Sequence, residues 1–209
     1  MMPQNSRINL EGWHQLMMAF GIPENNETYH RLLAAYSEKH RAYHTLEHIE
    51  ACFRHFDSVQ EQFNYPHEIE LALWFHDVIY KPLSATNEED SANLAKSFLS
   101  QNAVSSEIIE RINDLIMLTK DHVAPQSKDA KLMLEIDLSI LGTERHIYAQ
   151  FEKGVRQEYK RVPSFIFKKK RKDILESFAG RSRIYHTAYF FDRLETQAKR
   201  NLTWAINNL

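Results

Sequence analysis

Apolar residues recur along this chain three and four positions apart, and glycine and proline fall at the junctions between the patterned stretches. Leu10, Trp13, Leu16, Met17 and Phe20 predict a helix over 9–20, stopped by Gly21-Ile22-Pro23. A second helix over 26–38 turns Tyr29, Leu32, Leu33 and Tyr36 inward. A third runs from near Tyr43 to about Gln62 and buries Ile49, Phe53, Phe56 and Phe63. Next come a helix from about His67 to Val78 or Ile79, then a loop holding Pro82. Thr86-Asn87-Glu88-Glu89 reads as a capping box opening a helix to about Leu99. Ile108, Ile109, Ile112, Leu115, Ile116 and Leu118 mark the helix after it. The segment 132–142 fits both helical and strand periods, and its helical neighbourhood favours helix. Thr143 caps a helix to about Lys160 with Ile147, Phe151 and Val155 inward. Another follows Pro163 as far as Phe178, and the last starts near His186 with Phe190, Leu194, Ala198, Leu202 and Ala205 inward. No repeat or linker interrupts the series, so the expectation is a single all-α domain spanning 1–209.

One stretch stands apart. Leu71 to Phe75 are five apolar residues running straight into His76-Asp77, and apolar residues resume at Val78. A helix apolar nearly all round is a buried central helix. An ionised carboxylate there costs several kcal/mol or more without compensation (~ several, by transfer arguments). A hydrogen-bonded His-Asp pair, satisfied by backbone or an arginine, is one answer. A divalent cation is the other, because imidazole nitrogen and carboxylate oxygen are both good ligands.

Composition narrows the classes. The chain has 209 residues, 43% of them hydrophobic, enough for one well-cored domain. A net charge of −2 argues against a globally basic nucleic-acid binder. One cysteine, Cys52, excludes a disulfide framework and a cysteine-rich zinc site and suits a reducing, cytoplasmic setting. The first ten residues lack the apolar stretch of a signal peptide, and no run approaches the ~18 apolar residues of a membrane span. Eleven unevenly placed histidines are the first hint of metal chemistry.

Two of them, His44 and His48, are four apart and share one face if the third helix opens before them. Asp137 is a lone carboxylate in an almost wholly apolar segment, implying either a metal or a salt bridge to Arg156 or Arg171. The pattern is then His, His-Asp and a distant Asp, all on helices. The run Lys168-Lys169-Lys170-Arg171-Lys172 reads as a solvated helix face, its functional version being a phosphate or RNA contact. His55 and His146 have no identified partners and are read as structural.

The ordered set resembles the HD superfamily of metal-dependent phosphohydrolases, and in particular a bacterial group of predicted HD phosphohydrolases. The resemblance rests on Trp74-Phe75-His76-Asp77, Asn87-Glu88, Thr119 with His122, Asp137-Leu138 with Leu141-Gly142, Arg156 with Glu158-Tyr159, and Ala198-Lys199-Arg200-Asn201-Leu202. It covers about residues 40–205. It implies a helical bundle of the HD-domain, phosphodiesterase-like type and one or two divalent ions: manganese, iron, nickel, zinc or magnesium. The family has one first-position histidine ligand where this chain offers two. Tyr43-His44-Thr45-Leu46-Glu47-His48 is similar to the Tyr-His-Asn-x-x-His of cyclic-nucleotide phosphodiesterases, with Thr45 in place of Asn. That likeness makes His48 the ligand and His44 the general acid, with the reverse as the alternative.

The implied ligands are therefore His48, His76, Asp77 and Asp137, with Asp77 also able to bridge a second ion. Asn87, Glu88, His122 and Arg156 are candidates for substrate contact or for supporting the ligands, and Glu88 and His122 equally for capping or surface roles. The expected partner is a small phosphorylated substrate, a nucleotide above all, with neither membrane nor nucleic acid. Two other readings stand beside this one. A non-catalytic HD domain would sense a nucleotide, and His44-Thr45-Leu46-Glu47-His48 also spells the His-x-x-Glu-His of a zinc-peptidase class. No P-loop or Gly-x-Ser-x-Gly supports an NTPase or serine hydrolase.

Overall fold

The structure, a computed structural model, describes residues 7–123 and 125–209. Of the N-terminal stretch read above for a leader, residues 1–6 lie outside the described residues. The described chain is all-helical. Its α-helices are α1 (Leu10–Ala19), α2 (Asn26–Tyr36), α3 (Leu46–Val59), α4 (Pro66–Phe75), α5 (Asn87–Gln101), α6 (Ser106–Asp121), α7 (Lys128–Asp137), α8 (Arg145–Glu158), α9 (Ser164–Ala179) and α10 (Ala188–Asn208). Short 3-10 turns follow α3 at Gln60–Gln62 and α7 at Leu138–Gly142. Among the described residues, no helix is long and apolar enough to cross a membrane. The chain divides into two compact units, one ending at Leu134 and one running from Glu135 to Leu209.

In the first unit α4 is the central helix, packed by α1, α3, α5 and α6. Every residue from Glu68 to Phe75 is buried, as its nearly uniform apolar sequence requires. Trp74 is fully enclosed: Trp13 meets it edge-on at 5.7 Å and Phe53 lies 5.3 Å away. Pro66 opens the helix at the position where its missing N–H costs nothing. Just before it, Asp129 accepts from the backbone N–H groups of Asn64 and Tyr65. The two buried acids of α4 are paired: Glu68 takes a two-pronged contact from Arg111 at 2.6 and 2.8 Å, and Glu70 accepts from Arg7 at 2.9 Å.

In the second unit α10 packs on α8, α9 and the 3-10 turn Leu138–Gly142. Gly142 lies close against α10. A Cβ there would sit 2.5 Å from the Cβ of Leu194 and 2.9 Å from its carbonyl oxygen. Asn201, wholly buried, donates to the carbonyls of Leu141 and Thr143 and accepts from Arg145 and Gln197. Glu135 receives the N–H groups of His186 and Thr187 and the Thr187 hydroxyl, fixing the entry to α10. Glu195 does the same for the N–H groups of Ile184 and Tyr185.

Several boundaries differ from the sequence expectation. The segment 132–142 is helical, as favoured, with no strand among the described residues. The third helix begins at Leu46 rather than near Tyr43, and the fourth ends at Phe75 rather than at Val78 or Ile79. Thr86 does not form the expected capping box; its hydroxyl donates to Asp90 instead. The α8 cap is Glu144, not Thr143, and its buried stripe is turned so that Tyr148 is enclosed while Ile147 is 39% exposed.

Candidate metal centre

The two shifted boundaries shape the site. Thr45 is the extended N-cap of α3, so His44 lies in the loop ahead of the helix, not one turn below His48. At the other end, the N–H of His76 makes the last helical bond of α4, to the Ala72 carbonyl at 2.8 Å. Asp77 is then in a turn. Adjacent residues inside a helix diverge by about 100°, but a helix end lets His76 and Asp77 converge. The expectation that the His-Asp doublet and both histidines of the third segment all sit within helices is corrected accordingly.

Arg41 ties the two ends together. Its side chain is fully buried and lies over the rings of Tyr36 and Tyr80 at 5.1 and 5.5 Å. It donates to the carbonyls of His44 at 3.1 Å, Asp77 at 2.7 Å and Val78 at 2.8 Å. These bonds fasten the loop carrying His44 to the turn carrying Asp77. Tyr36 adds a bond from its hydroxyl to the Trp74 carbonyl at 3.0 Å.

The imidazoles are oriented from behind. His76 Nδ1 donates to the Leu73 carbonyl at 2.9 Å, which turns Nε2 towards Asp77 and His48. His48 Nδ1 lies 3.1 Å from the Tyr43 hydroxyl, directing its Nε2 forward in the same way. The two Nε2 atoms are 3.2 Å apart, and Asp77 Oδ2 is 3.2 Å from His76 Nε2 and 3.5 Å from His48 Nε2. With ligand bonds of ~2.1 Å, donors on neighbouring vertices of a tetrahedron or octahedron lie about 3.0–3.4 Å apart. The triangle of 3.2, 3.2 and 3.5 Å therefore matches one face of a divalent-metal coordination shell. His48 and His76 are buried, and the Asp77 side chain is 17% exposed, so the face is closed behind and open to one side.

Electrostatics agree with the geometry. Burial alone would raise the Asp77 carboxyl, yet the charges of His76 and His44 and hydrogen bonds from His48 and His76 hold it well below the usual carboxylate range. It is kept ionised, as a ligand must be. His44 is half-buried beside this triangle; its ring stacks on Tyr80 at 4.1 Å and lies 6.1 Å from the His48 ring.

The remaining expected residues fall as follows. Asp137 is the last residue of α7 and half-buried. Arg171 makes its paired contact with Glu152, and Arg156 donates to the carbonyls of Tyr159 and Val162, stacked on Phe167. Asn87 is buried and uses its amide on the backbone of Lys81, donating and accepting at 3.0 Å. Glu88 is in the first turn of α5, and His122 is the left-handed C-cap of α6. Glu47 is exposed, and with His44 outside the helix the His-x-x-Glu-His string does not form a helical zinc site. The sequence placed Tyr36 in the core but gave neither it nor Arg41 a part in the site, because their bonds to main-chain carbonyls leave no trace in residue spacing. No family model, curated protein or solved structure matches this chain.

Proposed function

We propose that this protein is a metal-dependent phosphohydrolase of the HD type, holding a divalent cation through His48, His76 and Asp77. The observation that carries the reading is the donor triangle, whose two imidazoles are aimed from behind by Leu73 and Tyr43. Nitrogen with carboxylate oxygen suits manganese, iron, nickel, zinc or magnesium. When bound, such an ion acidifies a water and withdraws charge from phosphoryl oxygens.

The chain's own groups do the rest. Asp77 and the histidines fix the position of the phosphoryl group. His44 is held by Tyr80 at the edge of the triangle, where a protonated imidazole can donate to the departing oxygen. Arg41 keeps that donor and the ligands in register through their carbonyls. A nucleotide or another small phosphoester or phosphoanhydride is the proposed substrate. The resemblance in residue order to HD phosphohydrolases supports this reaction class.

The test is metal analysis of the purified protein together with a phosphate-release screen over nucleotides, cyclic nucleotides and simple esters. Bound divalent metal with metal-dependent phosphate release is expected. Metal with no turnover on any phosphate would favour the nucleotide-sensing reading, and protein that binds no divalent metal would overturn the proposal.

A further inference from the structure

The second unit, residues 135–209, carries fifteen lysines and arginines against nine aspartates and glutamates, a net +6 where the whole chain is −2. Part of that excess is gathered in one place. A groove of about 680 Å³ is lined by the later turns of α8, the start of α9 and the end of α10. That volume is in the range of small-molecule sites. Lys153, Arg156 and Lys160 line it from α8 and the turn after it, and Lys168 from α9.

The three lysines are exposed and have no acidic partner among the described residues. Glu152 is the acidic side chain of the lining, and its carboxylate is already matched by Arg171 at 2.7 and 3.0 Å and by the Tyr148 hydroxyl at 2.7 Å. Glu152 therefore does not offset the groove's lysines, and like charges crowded around a concave wall focus a positive potential. Arg156 is fixed by its carbonyl bonds and by Phe167, so one cation of the set is preorganised.

An aromatic wall completes the groove. Trp204 is half-buried, with the Arg145 guanidinium 4.9 Å over its ring. Trp13 and Trp74, by contrast, are fully enclosed, so Trp204 is the tryptophan that reports on this groove.

We propose that this groove binds a polyphosphate anion, either free or as the phosphate chain of a nucleotide. The charge and the concavity specify the phosphate chain; the indole offers a place for a base. The site uses none of the histidine-site residues, so it stands or falls separately from the proposed hydrolase activity.

The experiment is titration of the full chain with inorganic tripolyphosphate and with ATP, in chelator to keep divalent metal out of the binding. Heat and Trp204 fluorescence are the readouts. Lys153→Gln with Lys168→Gln should weaken tripolyphosphate binding by about tenfold or more and flatten its salt dependence. Lys169→Gln with Lys170→Gln, the same charge change on α9 residues that do not line the groove, should leave affinity within about twofold, too small to count as a lost contact. ATP bound more tightly than tripolyphosphate, with the excess lost in Trp204→Ala, would identify a nucleotide; equal affinities would identify the phosphate chain alone. Equal weakening by both lysine pairs would overturn the site in favour of a diffuse field. So would absence of tripolyphosphate binding at physiological salt, or binding to RNA without it.

Discussion

Arg41 donates to the main-chain carbonyl of Asp77 at 2.7 Å, and the same nitrogen reaches the carbonyl of His44 at 3.1 Å. One fully buried cation thus sets the spacing between the proposed proton donor and the proposed ligand turn. Lysine in its place would keep the charge but could not serve three carbonyls along fixed directions. Arg41→Lys is expected to fold and to lose about 10–100-fold in divalent-metal affinity, the usual cost of losing a supporting contact behind a metal site. Calorimetric metal titration, with circular dichroism to verify folding, checks it. Unchanged affinity in a folded variant would reduce Arg41 to a packing residue.

The proposed ligands should part company with the fold. Asp77→Ala is expected to abolish metal binding while leaving the protein folded, because removing a buried carboxylate also removes its desolvation cost once the counter-ion is gone. His48→Ala and His76→Ala should empty the site as well, whereas His44→Ala should keep the metal. Metal stoichiometry after each change reads this directly. Loss of metal from His44→Ala with retention in His48→Ala would exchange the two roles.

Much of the scaffold was legible because its signals are local. Residues 71–75 are apolar on every face, which marks a buried helix. The site's residue types were legible too: His48, His76 and Asp77 converge as their order implied. What the sequence hid was where the helices stop. The residues just past the end of α4 are held by Arg41 through carbonyls 36 and 37 residues away, a long-range contact that periodicity does not encode. The motif residues outside the triangle divide in a way that spacing could not reveal. Gly142 and Asn201 are explained by packing and backbone bonds around α10, and Asn87 by its hold on Lys81.

Gly142→Ala tests the packing explanation. The added methyl would meet Leu194 at 2.5 Å and its carbonyl at 2.9 Å, contacts that the backbone must open to relieve. Overpacking of this kind costs ~1–3 kcal/mol, and each kcal/mol lowers Tm by roughly 2–4 °C in a chain of this size. Metal affinity per folded molecule should be unchanged. A Tm equal to that of the parent would show that the turn and α10 separate freely.

Glu70 gives a stability test that depends on pH. Burial raises its carboxyl above 4.5 despite the charge and hydrogen bond of Arg7. A folded carboxyl that holds its proton to higher pH than the unfolded one contributes stability below about 4.5 that is lost as pH rises through the raised value. At neutral pH the ionised group is therefore a net burden on the fold. Glu70→Gln keeps an acceptor for Arg7 without the charge, so its Tm should exceed the parent's at neutral pH and the gap should close in mild acid. A lower Tm for the variant at neutral pH would mean that the ion pair outweighs burial.

The last test concerns the proton. If His44 donates to the leaving oxygen, its removal should hurt poor leaving groups far more than activated ones. An alkyl phosphate departs as a high-pKa alkoxide that needs a proton, whereas p-nitrophenolate leaves readily without one. Charge withdrawal from the phosphoryl group serves both substrates alike, so the ratio of their losses isolates the proton transfer. His44→Ala should lower kcat on an alkyl ester by ~10²–10⁴ while retaining much of the activity on an aryl phosphate. Tyr80→Leu, which removes the ring stacked on His44 at 4.1 Å, should shift the same ratio in the same direction but less far. Equal losses on both esters would take His44 out of the acid role and leave it as a charge that keeps Asp77 ionised.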